Sequence, residues 1–300
     1  MYNIGVDIGG TNLKLGLLKN NEIIDKITVA TDRLDILNQI ICNITNLLNK
    51  NNLNTSDIKK LGIGCPGIVL NGVVLESVNL GLRDCDLKKH FQSKLGIDTV
   101  VLNDADMATL AEYKLGGGVG TKNMIMLTLG TGVGSGIIID GKLYCGNGGA
   151  GELGHVTMYK DGISCNCGRK GCAEKYLSAL ALSRRAKDEL KHFPSSVIKN
   201  DDIIRASDLV KYYEMGDECA KKIVDEYVCD LSEYVQNLCN IFRPDLILIG
   251  GGVSYAPKII DLTANLCKEH AYGYLNTPKV DIKTAKLGND AGIYGVLAVL

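Results

Sequence analysis

The sequence predicts an α/β protein built twice over, and three observations carry that expectation. Two Gly-Thr turns, at Gly10-Thr11 and Gly130-Thr131, stand 120 residues apart and are each flanked by runs with strand periodicity. Each opens a further stretch in which helical and strand patterns alternate. Near the end of the second stretch, DLILIGGGV from Asp245 reads as a buried strand that stops in glycines.

The elements follow in chain order. Ile4, Val6 and Ile8 alternate before the first turn, and Leu13, Leu15 and Leu17 alternate after it, so DIGGTNLKLGL closes a hairpin. A dinucleotide fingerprint or a P-loop needs a helix after its glycines, and both are disfavoured. Leu18 to Glu22 reads as a second turn and IIDKITVAT as a third strand, completing an antiparallel meander. Leu34, Leu37, Ile40, Ile41, Ile44, Leu47 and Leu48 fall on one face of a helix. LGIGCPG is a buried strand running into a turn, and Thr99 to Asp104 is another strand, followed by the helix ADMATLAEY. From Met124 to Tyr144 the first pattern returns: strand, glycine turn, strand, Asp-Gly turn, strand. Helical periodicity then runs from about Gly216 to Phe242, where Pro244 breaks it. Either glycine turn alone would serve as an ordinary tight hairpin. As a pair, each with a threonine hydroxyl and backbone amides that can approach an anion, they suit a polyphosphate.

Composition narrows the function classes. The 33 basic and 34 acidic side chains leave a formal charge of -1, so the chain lacks the basic excess that nucleic acid or anionic lipid would demand. Its 46% hydrophobic content, without long apolar runs, describes packed soluble cores, and no leader pattern opens the sequence. The expectation is a cytoplasmic protein that acts on small molecules. Of the 11 cysteines, Cys42, Cys65, Cys85, Cys145, Cys219, Cys229, Cys239 and Cys267 are scattered among apolar neighbours and read as small buried hydrophobes.

The other three crowd into CNCGRKGC. Cys165, Cys167 and Cys172 are poorly spaced for a disulfide, and with His155 as the only histidine near in sequence they fit a closed Cys₃His zinc site of structural type. Unliganded thiols on a glycine loop are the plain alternative. A zinc-bound imidazole has its other nitrogen fixed as an N–H donor, which a polyol hydroxyl could accept; Glu152 and Glu174 nearby could accept from sugar hydroxyls. Otherwise Glu152 is a surface charge and Glu174 an early-helix acid. Asn103-Asp104 sits where a strand gives way to a helix, the place where α/β sheets present ligand groups. Asp104 is then either an N-cap or the base that takes a hydroxyl proton in Mg²⁺-assisted phosphoryl transfer.

Taken together, DIGGTN, CPG at Cys65 to Gly67, NDA at Asn103 to Ala105, LGTGVGSG, GELGH, CNCGRKGCAE, LIGGGV and LGNDAGIYG resemble the ROK family of repressors, open reading frames and sugar kinases over nearly the whole chain. The resemblance implies a two-lobed actin-like, ribonuclease H-like α/β ATPase fold with structural zinc. It divides the chain at 1–115, completed by 289–300, and 116–288. It implies ATP, Mg²⁺ and Zn²⁺, and phosphorylation of a hexose at its 6-hydroxyl: glucose first, with N-acetylmannosamine, fructose or allose as alternatives. By position it makes Asp104 the base. Asn79, Asn103, Asp104, Glu152, His155 and Glu174 become sugar ligands, and His155, Cys165, Cys167 and Cys172 the zinc ligands. Asp7, Gly9, Gly10, Thr11, Asn12, Lys14, Thr131 and Gly132 line the phosphate loops, with Gly251 and Gly252 beside the nucleoside. It implies a homodimer or a pair of dimers. Asp106 stands where the family often has Asn, and Cys65 precedes the Pro-Gly turn. A sugar-sensing regulator of the same family would carry a DNA-binding segment ahead of the first turn, where only six residues precede Asp7.

Overall fold

The computed structural model describes residues 1–270, 272–273 and 278–299. The chain divides into two units: residues 1–119 with 142–151 and 289–300, and residues 120–141 with 152–288.

In the first unit, β1 (Tyr2–Ile8), β2 (Asn12–Lys19) and β3 (Glu22–Ala30) form the meander read from the sequence. Asn20 and Asn21 both take positive φ, 52° and 67°, the conformation of a two-residue hairpin loop whose twist matches its strands. After α1 (Ile36–Lys50), β4 (Ile58–Cys65) lies parallel to β1. A small antiparallel sheet follows, of β5 (Ile68–Leu70), β6 (Val73–Ser77) and β7 (Leu82–Asp86). Then come α2 (Leu87–Leu95), β8 (Thr99–Asn103) and α3 (Asp104–Leu115). The main sheet has the order β3-β2-β1-β4-β8.

The second unit begins with β9 (Met124–Leu129) and β10 (Val133–Ile139), an antiparallel pair across the second Gly-Thr turn, and the chain continues through the short β11 (Lys142–Leu143). The helices α4 (Glu174–Leu177), α5 (Ala179–Leu190), α6 (Ala206–Glu214) and α7 (Glu218–Phe242) precede β12 (Leu246–Gly250), α8 (Pro257–His270) and β13 (Asp281–Thr284). Strands β10, β9, β12 and β13 are neighbours in that order, with β9, β12 and β13 parallel. That repeats the β2-β1-β4-β8 arrangement of the first unit, so the duplicated grammar of the sequence is a duplicated sheet.

The last helix, α9 (Ala291–Ala298), belongs to the first unit and packs on β1, β4 and α3. Glycines make the approach possible. A Cβ on Gly5 would sit 2.8 Å from Ile293 C and 2.9 Å from its Cα, and one on Gly62 would sit 2.7 Å from Val296 Cβ. Beneath the other face of the sheet lies the first core, centred on Ile4, Val6, Leu13, Leu15, Ile40, Ile44 and Phe91; the second unit has its own core around Leu127, Leu182, Tyr227, Leu231 and Ile249.

Four expectations need correction. Leu34 lies fully exposed ahead of α1, which begins only at Ile36; Asp32 accepts the N–H groups of Leu34 and Asp35 and holds that segment out of the helix. Cys42 and Cys229 are exposed and Cys85 and Cys145 half-buried, so only Cys65, Cys219, Cys239 and Cys267 of the eight behave as core residues. Strand β8 ends at Asn103, and α7 starts at Glu218, capped by the Asp217 side chain on Ala220 N–H at 2.8 Å.

Candidate active site

In the first unit the candidate residues collect at the carboxyl ends of three adjacent parallel strands. Asp7 pairs in register with Gly64, Gly64 with Leu102 and Cys65 with Asn103. A Cβ on Gly64 would lie 3.3 Å from Asp104 Cα, so glycine lets the start of α3 close over β4. The cap of α3 is Asn103. Its side-chain oxygen accepts from Ala105 N at 2.8 Å and Asp106 N at 3.2 Å, and its amide nitrogen donates to Gly67 O at 3.0 Å, which leaves one amide hydrogen for a ligand. Asp104 is the first residue of the helix and half-buried, with Oδ1 accepting from Ala105 N at 2.9 Å. Asp106 is buried in the same turn. The Cys65 thiol is pushed up to about 12 by burial, with the Asp104 carboxylate adding to it. Asn79 lies exposed on the turn between β6 and β7.

The first glycine turn is braced from behind. Gly9 N–H donates to Asn12 O at 2.9 Å, Thr31 Oγ1 to Gly9 O at 2.7 Å, and Arg33 to Gly10 O at 2.8 Å. Thr11 and Asn12 are left exposed. Lys14 Nζ stands 3.3 Å from Asp7 and donates to Asn289 O at 3.0 Å. Burial raises the Asp7 carboxyl above its ordinary range, Lys14 opposes this, and Asp290 adds repulsion. Asp7 is partly buried, and Asp290, more exposed, also pairs with Lys26 at 2.9 Å; a carboxylate placed like Asp7 suits a divalent cation.

In the second unit, Thr131, Gly132, Gly251 and Gly252 meet at the carboxyl ends of β9 and β12, where Gly250 pairs with Thr128. Gly251, with φ 75°, presses on Leu129, where a Cβ would lie 2.6 Å from the carbonyl carbon. Ala179 N–H, at the start of α5, donates to Gly130 O at 2.8 Å and holds the turn from the side.

His155, Cys165, Cys167 and Cys172 bring their donor atoms within 4.8 Å of one another. His155 Nδ1 is 3.7 Å from Cys165 Sγ, and Cys167 Sγ is 3.6 Å from Cys172 Sγ. Tetrahedral bonds of about 2.3 Å to sulfur and 2.0 Å to nitrogen would set such edges at about 3.5–3.8 Å, so the donors fit zinc. Burial pushes the Cys172 thiol up to about 12, with the neighbouring sulfurs adding to it, a repulsion that a bound dication relieves. Gly168 and Gly171, with φ 87° and 73°, allow the loop to double back, and a Cβ on Gly171 would lie 2.7 Å from Tyr159 C. The loop region is anchored to α7 through Tyr159, which donates to Asp230, and Arg185 of α5 bonds the same carboxylate.

The GELGH segment lies on β10. Leu153 N–H donates to Ser135 Oγ at 3.2 Å, Tyr234 donates to Leu153 O, and Gly154 is pressed against Val133. Burial raises the Glu152 carboxyl; His155 opposes the shift and Glu174 adds to it. Sequence reasoning missed Thr31, Arg33, Asn289 and Asp290. No spacing marks the first two; the second pair stands in LGNDAGIYG, a motif noticed as a whole but not residue by residue.

Comparison with known proteins shows the family. The family model described as ROK family matches residues 3–300. A glucokinase of Halalkalibacterium halodurans is 36% identical, over 97% of this chain and 92% of its own. An N-acetylmannosamine kinase of Haemophilus influenzae is 29% identical, over 97% and 93%. A crystal structure of a ROK family glucokinase from Streptomyces griseus, in complex with glucose and AMPPNP, superposes with a TM-score of 0.85 at 30% identity, covering 100% of this chain and 99% of that one.

Proposed function

The chain belongs to the ROK family, with its actin-like, ribonuclease H-like fold, and on that premise we propose that this ATP-dependent hexose kinase transfers the terminal phosphoryl group of ATP to the 6-hydroxyl of glucose. The observation that carries the reading is the division of labour at the start of α3. Asn103 accepts the Ala105 and Asp106 amides, while Asp104, whose Oδ1 shares the Ala105 amide, is held half-buried at the carboxyl end of the parallel strands, where a base would stand.

Asp104 takes the hydroxyl proton as the new P–O bond forms; in a loose transition state that transfer comes late and asks little of the base beyond position. Glu152, His155 and Glu174, with Asn79 and Asn103, are assigned to the sugar hydroxyls. With Nδ1 facing Cys165, His155 has Nε2 left as the donor for a sugar oxygen. The turns at Gly9 to Asn12, with Lys14, and at Thr131-Gly132 receive phosphates, and Gly251-Gly252 the nucleoside. Mg²⁺ arriving with ATP supplies charge neutralisation, and Asp7 is the carboxylate that would hold it. Zinc in the Cys₃His cage has no open position for substrate and would contribute folding energy.

Among the described residues no helix is long and apolar enough to cross a membrane. The working setting we assign is the cytoplasm, and the assembly a homodimer or a pair of dimers, which sedimentation would check. Phosphorylation of a panel of hexoses and amino sugars by the purified protein with Mg-ATP, at sub-millimolar sugar, tests the substrate. Glucose is expected to give the highest kcat/KM. A preference for N-acetylmannosamine, the substrate named for the Haemophilus influenzae relative, would replace it.

A further inference from the structure

Glu174 makes a contact that its motif does not announce. It opens α4 two residues after Cys172, and the family resemblance makes it a sugar ligand. Its Oε2 accepts the backbone N–H of Val133 at 3.2 Å, across a separation of 41 residues. Val133 is the residue by which the second glycine turn rejoins β10. Gly132 beside it leaves room for the carboxylate: a Cβ there would overlap Oε2 and come within 3.3 Å of Cδ. The same segment grips the turn at its other end, through Ala179 N–H on Gly130 O at 2.8 Å. A carboxylate next to a phosphate-receiving turn repels the ligand, so its presence calls for a compensating role. A charge-assisted bond from a backbone amide is strong enough to fix four residues that glycine would otherwise leave loose.

We propose that Glu174 is a positioning residue for the phosphate turn: its Oε2 locks the Gly130–Val133 backbone in the form that receives the nucleotide, while its second oxygen serves the sugar. The proposal rests on the hexose-kinase reading for the sugar half only. The nucleotide half rests on the bond to Val133 and on the reading of the Thr131-Gly132 turn as a phosphate site, but not on which sugar is phosphorylated. Gln at this position keeps an oxygen that can accept the Val133 N–H but changes what the sugar meets; Ala removes both.

Calorimetric titration of the sugar-free protein with Mg-AMPPNP separates these roles. Glu174→Ala is expected to weaken nucleotide binding on the order of tenfold, the worth of one charge-assisted bond, whereas Glu174→Gln stays near wild type for nucleotide and loses sugar affinity. Equal nucleotide affinity in all three proteins overturns the proposal, and so does an equal loss in both variants. Hydrogen exchange over residues 130–136 reads the bond directly. The Val133 amide is expected to be protected in wild type and Glu174→Gln, and to lose protection in Glu174→Asp, whose side chain is one methylene short. Unchanged exchange in Glu174→Asp refutes the lock even if the alanine variant does not fold. If wild type phosphorylates no hexose yet the variants follow this nucleotide pattern, the kinase reading falls and the role of Glu174 stands.

Discussion

Replacing Asp104 by Asn separates chemistry from folding. Asn103 caps α3 by accepting the Ala105 and Asp106 amides at 2.8 and 3.2 Å, and Asp104 shares the first of these. Asn at 104 is isosteric and keeps an oxygen to accept the Ala105 N–H that Asp104 now accepts at 2.9 Å. What folding loses is one negative charge in the first turn, about 0.3–1 kcal/mol of interaction with the helix dipole. That corresponds to a fall of roughly 1–4 °C in Tm for a chain of this size. What the reaction loses is its proton acceptor, about 10²–10⁴-fold in kcat, or roughly 3–5 kcal/mol of transition-state stabilisation. The second quantity exceeds the first several-fold, so a partly unfolded sample cannot imitate it. The assay is initial-rate phosphorylation of glucose with Mg-ATP, coupled to oxidation of the sugar phosphate, with Tm and calorimetric glucose binding measured on the same preparation. We expect kcat to collapse while Tm and glucose affinity stay near wild type. A variant that keeps kcat within tenfold of wild type would remove Asp104 from the mechanism.

Three further outcomes are expected. Cys167→Ser should lose bound zinc, read by elemental analysis, and lower the thermal midpoint on the order of 10 °C, since the affinity of a structural zinc is largely folding free energy; a metal-free variant with unchanged Tm would refute this. Gly5→Ala drives a methyl into the Ile293 backbone, 2.8 Å from its carbonyl carbon, and should cost roughly 1–3 kcal/mol in chemical denaturation, with α9 losing protection first in hydrogen exchange. Asp217 is partly buried, which alone would raise its carboxyl, but the N–H groups of Ala220 and Val197 and the Ser196 hydroxyl bond the charged form and hold it below 3.8. A folded pKa below the unfolded one contributes stability that is complete above 3.8 and lost as pH falls through the folded value. Asp217→Ala should therefore cost about 1 kcal/mol near neutral pH, and its gap to wild type should narrow below pH 3.8 in denaturant titrations.

What could be read from the sequence was what the chain encodes locally. Alternation around the first Gly-Thr pair, and the return of the same strand-turn-strand order around the second, gave both hairpins, because a strand's pattern is written in consecutive residues. The zinc ligands were legible for the same reason: three of the four lie within eight residues, and His155 is only ten before the first cysteine. Burial of Cys42 and Cys229 was misjudged because apolar neighbours in sequence are not neighbours on a helix; Cys42 in α1 and Cys229 in α7 lie on faces turned to solvent. The contact of Lys14 with Asn289 spans 275 positions, and that of Glu174 with Val133 spans 41. No periodicity or spacing records such meetings. The sequence offers Asp104 as either cap or base; the backbone ends β8 at Asn103, makes Asn103 the cap and opens α3 at Asp104, a shift of one residue that no local pattern records.

The seating of α9 on β1 and β4 constrains how the molecule is made. A ribosome delivers Gly5, Gly16 and Gly62 long before it delivers Ile293 and Val296, so a sticky trough on the first sheet stands uncovered through most of translation. Residues 152–288 emerge earlier than the peg that fills that trough, and the front of the chain is left waiting for its own tail. A message cut short by a dozen codons would leave that face of the first sheet bare.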